Sequence, residues 1–490
     1  MSDIFESENE FENDVQNTEL EKALEAGYGT NAADYTQGRS LQREDLEATL
    51  VTVLDVKQKD LKLFHKLHKQ PVSSTVHQVE RETDVGDDEF LFVGESEKAP
   101  EGDPQFSRKI YETKYMSSKW QTSHPLTLTD NVENAINASK VAAVMRVSKG
   151  TERCIFHGNA SVSPKQYDGL LKIIEDSAKN TAVAEKLRAT VMDVRGLEIG
   201  ESNTIDGVAI DAGEALFDEI AQKVFDKGGD LSEAYFPPVI ARQFKEMYSS
   251  RLRLTPRDNT FTLQKLPDIL TPTGSTIRIT DDAGADKMFK VKGPVAAAGD
   301  QEKRPNTPSN FTALAASEST SKFTTAWAGN YMYAVHAVNA YGISAAKPLG
   351  SAVTVASGEK VTLTITPDTN GAPDTNGAPA TGFIITRSKA GGTEMMEMIR
   401  VPKSAESTTV VVDLNEDLPG TASIVLLTPQ TDEMKPNTSF GQLMAMSNFD
   451  LPTDSSLAHR GVVALYGMLE VRAPEYNALI KNVGYAGGLY

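Results

Sequence analysis

Hydrophobic positions along the 490-residue chain change period several times, and each change marks an element. Residues 1–26 have no apolar period and hold nine acidic residues against one lysine. Such a segment repels itself and gains little by packing, which predicts a mobile arm. GTNAADYTQGRS (29–40) continues it as a linker. Leu46, Leu50, Val53 and Val56, then Leu61, Phe64 and Leu67, recur at helical spacing, and Pro71 ends that pattern. Over 72–128 the period becomes two. STVHQVERET and KIYETKYMSSKWQTSHPLTLT read as long strands around DVGDDEFLFVGESEKAPEGDPQFSR, which together make an extended hairpin with a charged tip. Little of its own sequence could cover such a hairpin, so it is expected to lie on a neighbour.

The helical period returns in DNVENAINASKVAAVMRVSKGTERCIFHGN. Asp130 can cap there, with Glu133 three residues on, and Val132, Ile136, Ala143 and Val147 share a face. About 25 residues of helix span about 38 Å. PKQYDGLLKII turns back. DAGEALFDEIAQKVFDKGG predicts a second amphipathic helix, with Leu216, Phe217, Ile220 and Val224 inward and Gly228–Gly229 as the stop. AYFPPVIARQFKEMYSS and TGSTIRITDD add a mixed α/β region. From 302 to 430 the composition shifts to Thr, Ser, Ala, Gly and Val. Short strands with turn signals, among them YMYAVHAVNAYGIS, VTLTITP, GFIITRS and TTVVVDL, predict a β-sandwich. DTNGAP occurs twice in tandem at 368–379, which reads as an exposed loop. GVVALYGMLEVRAP is a long strand stopped by Pro474, and EYNALIKNV follows. The pieces on either side of the sandwich look like parts of one domain, so the sandwich reads as an insertion.

Composition narrows the function. Apolar content of 39% and charged content of 24% describe a soluble globular protein of two to four domains. No apolar run is long enough to span a bilayer. MSDIFESENEFENDV lacks an apolar signal core, and the lone Cys154 excludes an internal disulfide framework, so synthesis in a reducing cytosol is expected. A net charge of −19 argues against a surface that grips nucleic acid.

Candidate chemistry is sparse. No P-loop, dinucleotide fingerprint or nucleophile elbow stands in the right context. His65/His68 and Cys154/His157 are pairs, whereas a structural zinc takes four ligands. The histidines read as a solvated face of a Lys-rich helix, and the cysteine as a buried inert thiol. No pair among the 68 carboxylates stands out as an acid/base couple. Neither catalytic residues nor cofactors are therefore expected. The tyrosines of the 331 strand read as sandwich core. Arg81, Lys98, Arg108 and Lys109, which flank the hairpin tip, are the candidate intersubunit contacts, because an arm lying on a neighbour needs charge partners there.

The order of elements resembles that of the major capsid proteins of tailed double-stranded DNA bacteriophages, with the α+β Hong Kong 97-type fold. Three stretches carry the likeness: TERCIFHGNASVSPKQYDGLL, GVVALYGMLEVRAPEYNALIKNV and DLKLFHKLHKQPVSSTVHQV. The resemblance implies an acidic arm with its helix at 1–71 and an extended loop over 72–128. A peripheral domain with a spine helix would cover 129–200 and an axial domain 201–301. The sandwich insertion then takes 302–430, and a peripheral return with the C-terminus 431–490. It also implies a shell built from hexamers and pentamers of this chain around packaged DNA, inside a bacterial cytoplasm and then in the virion, with no membrane. DNA would be met only through non-specific proximity. The expected partners are a separate scaffolding protein, because the arm before residue 40 is too short to serve as one, a portal, and a decoration protein. The sandwich resembles fibronectin type III or immunoglobulin-like modules, but the strand ending at Asn339–Gly342 comes first where such modules place it late, which implies a permuted order. It is expected to project from the outer surface. The alternative is a phage tail-tube or fibre subunit with a fibronectin-like domain, which accounts for the sandwich but not for the spine helix and closing strand.

Overall fold

In a computed structural model of the chain, the described residues are 61–84, 92–93, 95–96, 98, 102–128, 134–161, 164–248, 268–286, 298–299, 303–339, 341–368, 379–429, 436–452, 457–485 and 488–489. The acidic arm, Leu46 to Val56, the Asp130 cap with Val132 and Glu133, and all but the ends of the DTNGAP tandem lie outside them. Two units divide the chain. One is represented among the described residues by Pro125–Leu128 and Asn134–Asn137, and the rest belong to the other.

The chain enters through a short helix, α1 (Lys62–Lys66), and leaves it for a strand, β1 (His68–Pro71). The helical period expected to run to Pro71 therefore stops at Lys66. Leu61, Leu63, Phe64 and Leu67 are buried, but β1 extends to pair in parallel with Thr438–Leu451. β2 (Val76–Asp84) and β3 (Gln105–Glu112) pair antiparallel as the hairpin. The predicted second long strand breaks at buried Thr113. Its continuation, β4 (Lys114–Ser123), pairs elsewhere, and its end is the helix α2 (His124–Leu128).

α3 (Ala135–His157) is the long helix and buries Ala143, Val147, Thr151, Ile155 and Phe156. Its exit needs glycine: a Cβ on Gly158 would lie 2.3 Å from the Tyr167 carbonyl oxygen, and one on Gly169 would lie 2.6 Å from the Gly158 nitrogen. α4 (Leu170–Lys179) returns from that turn, and β5 (Thr190–Asp193) follows. α5 (Glu214–Phe225) buries the predicted face Leu216, Phe217, Ile220 and Val224, and Gly228 follows at φ +90°. β6 (Glu233–Phe236), α6 (Pro238–Tyr248) and β7 (Thr276–Asp281) complete this part.

The sandwich strands are β8 (Asn310–Ser317), β9 (Tyr333–Asn339), β10 (Glu359–Thr366), β11 (Gly382–Ser388), β12 (Met395–Pro402) and β13 (Thr409–Asp413). One sheet runs β8–β10–β13, and the other contains β9–β11–β12. Between them Val361, Leu363 and Ile365 meet Tyr333, Val335, Phe383 and Ile385, all within 1% of full burial. The Tyr331 and Tyr333 side chains are core. β9 precedes β10 and β11 in sequence yet pairs with β11.

The chain then re-enters the body. β14 (Ala422–Leu427), β15 (Thr438–Leu451), β16 (Ala458–Val471) and β17 (Ala478–Val483) follow. β1, β15, β16 and β4 form one sheet; β5, β17, β14, β6, β7 and Ile269–Leu270 form another. β14 thus sits between β17 and β6, although the expected insertion ran to 430. An apolar run bounded by turns fits a sandwich strand and a body strand equally well. Phe217, Phe236 and Phe244 pack ring to ring at 5.4–6.1 Å under this sheet. The architecture is α+β, in the order arm strand, extended hairpin, long helix, mixed sheet interrupted by a sandwich, and return strands; the arm strand stands where the resemblance implied a continuing arm helix.

Candidate assembly surface

The hairpin has two unlike faces because its residues alternate. The inner face carries His77, Val79, Arg81, Ser107, Lys109 and Tyr111, each partly buried. Arg81 Nη1 donates to both Glu475 oxygens at 2.8 and 2.9 Å, and its Nε donates to Ser107 Oγ at 2.9 Å. The Tyr111 hydroxyl donates to the Val471 carbonyl. His77 Nε2 lies 3.7 Å from the buried Glu470 carboxylate. Burial, and then the adjacent Arg81 guanidinium, lower the Lys109 amine to about 8, with Glu475 opposing. Burial raises the Tyr111 phenol to about 12. This face is held by β16 and the turn that follows it in the same chain.

The outer face carries Val76, Glu80, Arg108, Ile110 and Phe106. Phe106 is 70% exposed, Ile110 62% and Val76 44%. A Glu80–Arg108 ion pair stands among them. Three large apolar side chains on one side of a two-stranded ribbon are thus left largely exposed by the described residues. Covering such groups is worth about 1.5–3 kcal/mol each.

The four candidate contacts divide accordingly. Arg81 and Lys109 face inward onto Glu475. Arg108 faces outward, and Lys98 is exposed near the tip. They do not form one basic patch. Sequence reasoning missed Phe106 and Ile110, which the 106/108/110 alternation with Arg108 could have found. It also missed Glu475, whose link to Arg81 no local pattern encodes. His65 and His68 are both exposed, and His68 lies on β1 rather than on a helix. Cys154 is partly buried, and burial pushes its thiol up to about 11.

A second polar cluster fixes the sandwich to the body. Arg195, at φ 54°, donates to the Asn415 carbonyl at 2.8 Å and the Lys322 carbonyl at 2.9 Å, with its guanidinium 5.0 Å from the Trp327 ring centre. Asn482 Nδ2 donates to Asp193 Oδ1 at 2.7 Å and to the Glu416 carbonyl at 2.9 Å. Lys481 stands between Asp417 and Glu175, which raise its pKa against the effect of burial.

No protein-family model matches the chain. It is 24% identical over 485 residues to the major capsid protein of Staphylococcus phage K, covering 95% of this chain and 94% of that one. To a protein of Enterococcus phage phiEF24C described as a putative major capsid protein it is 24% identical over 491 residues, 95% of each chain. Among solved structures, the capsid of an empty GTA particle aligns over 93% of this chain and 100% of its own, at 11% identity and a TM-score of 0.40. The capsid of Cyanophage P-SCSP1u aligns over 92% and 96%, at 8% identity and a TM-score of 0.42.

Proposed function

We propose that this chain is the major capsid protein of a tailed phage, and that copies of it close into an icosahedral shell of hexamers and pentamers around packaged double-stranded DNA. The observation that carries this reading is similarity along 95% of the chain to proteins named major capsid protein. The hairpin supports it. Its inner face is tied to its own subunit, while Phe106, Ile110 and Val76 stand exposed on the other. The occupant of that outer face is a second copy of the chain, with Arg108 and Lys98 meeting its acidic surface. A net charge of −19 suits a lining that must not bind DNA tightly. Scaffolding, portal and decoration proteins are the remaining partners.

The sandwich belongs to this reading as a surface module, of fibronectin type III-like character in permuted order. The pairing of β9 with the later β11 supports that assignment, and Arg195 and Asn482 would hold it at a set angle to the body.

A Phe106→Asp/Ile110→Asp variant tests the reading. Sedimentation velocity of the wild type should show one large, uniform species, and the variant only folded subunits or small oligomers. Equal large assemblies in the variant would count against the hairpin's role.

A further inference from the structure

Two carboxyl groups far apart in sequence meet beneath the arm. Glu152, on α3, is 1% exposed, and Asp282, just past β7, is 0% exposed. Glu152 Oε1 accepts from the Leu63 N–H at 2.9 Å, and Oε2 from the Phe64 N–H at 2.8 Å. Asp282 Oδ2 accepts from the same Leu63 N–H at 3.3 Å, and its Oδ1 from the Gly284 N–H at 2.8 Å. One N–H shared by two carboxyls places them side by side. The space around them is closed: a Cβ on Gly284 would lie 2.8 Å from Glu152 Cγ and 3.1 Å from Asp282 Oδ1.

The charged and titratable groups facing the pair are otherwise engaged. Lys62 Nζ lies 2.5 Å from Asp281 Oδ1 and 2.6 Å from the Asp281 carbonyl oxygen. Lys66 pairs with Glu233 at 2.6 Å. The Tyr235 hydroxyl donates to Glu233 at 2.8 Å, and the Tyr167 hydroxyl to the Thr151 carbonyl at 3.3 Å. Among the described residues no cation stands between the two carboxyls, and two adjacent buried carboxyls so placed cannot both ionise. One proton between them leaves one carboxylate and enough lone pairs to accept all three backbone N–H groups.

We propose that the arm is latched to the body by a single proton shared between Glu152 and Asp282, and that losing this proton at alkaline pH releases residues 61–71. The latch is a property of one subunit and stands independently of the capsid reading. Burial, and then the Asp282 carboxyl, raise Glu152 to about 9; Asp282 is raised as well, chiefly by burial. The folded state therefore holds a proton that the released arm gives up. The contribution is complete below the ordinary carboxylate range, falls as pH rises, and is gone above about 9.

Hydrogen exchange of peptides covering 61–67 in the full chain, from pH 7 to 10 and corrected for the intrinsic base-catalysed rate, tests this. Protection should fall about tenfold per pH unit from pH 7 to about 9 and level off above that, while the core helix 214–225 stays protected. D282N, whose amide N–H donates permanently to Glu152, should keep the arm protected to pH 10. Should D282N not accumulate, E152Q serves: arm protection lower at pH 7 but level to pH 10. Wild-type protection that is level to pH 10, a fall shared by 214–225, or the same alkaline fall in the variant used would overturn the proposal.

Discussion

Arg387 offers a quantitative test of the sandwich. Its side chain is fully buried, and its partner Asp413 is 3% exposed. Nη1 donates to Asp413 Oδ2 at 2.6 Å and Nη2 to Asn415 Oδ1 at 2.8 Å, while the Tyr333 hydroxyl reaches the same Asp413 oxygen at 2.9 Å. The guanidinium lies 5.2 and 5.4 Å from the Tyr331 and Phe323 ring centres. In Arg387→Leu the apolar contacts survive, but Asp413 is left as a buried charge without its cation, with the Tyr333 hydroxyl and the Asn415 N–H, at 2.9 and 2.8 Å, as its donors. Breaking a buried pair in this way costs about 3–5 kcal/mol. At about 1.4 kcal/mol per decade, amide protection in β11 and β13 should fall by about 10² to 10⁴. Arg387→Leu/Asp413→Asn removes the stranded charge, keeps the Tyr333 hydrogen bond and should recover most of the loss. Segment-resolved hydrogen exchange on the full chain reads this without assuming that the chain unfolds in one step. A single-variant loss below tenfold, or a double variant no better than the single, would refute the reasoning.

Other outcomes follow from named contacts. Gly461→Ala would place a Cβ 2.5 Å from Trp120 Cζ2 and 2.6 Å from the Phe449 carbonyl oxygen, and overpacking of that kind costs about 1–3 kcal/mol; thermal melting should show a lowered transition. Lys109 runs opposite to the arm latch. Its folded pKa is depressed to about 8, so hairpin protection should rise as pH goes from 7 through 8 toward 10, and Lys109→Met should remove that rise. Replacing residues 302–430 by a linker removes β14 from the middle of the body sheet and should leave no soluble folded chain, as read by recovery in the soluble fraction.

Periodicity was informative where burial is one-sided. The α5 face, the Val361/Leu363/Ile365 alternation and the Tyr331/Tyr333 strand all lie where the pattern places them, because a single buried face stamps its period on the sequence. Pairing partners were less legible. KIYETKYMSSKWQTS alternates throughout, so nothing local announces that it changes partners at Thr113. β1 carries the helical residue types of α1, and its strand geometry comes from β15, some 370 positions later. The buried polar pairs were invisible. Glu152 and Asp282, or Arg81 and Glu475, are ordinary charges in sequence and become special only where the fold removes water from them. Of the four candidate contacts, the sequence could mark the charges but not the face each would take.

The most direct test of the central claim is negative-stain electron microscopy of the protein expressed alone and together with the products of the genes that neighbour its own. The account predicts closed shells of uniform diameter. Tubes, rods or only small discrete oligomers under every co-expression would contradict it.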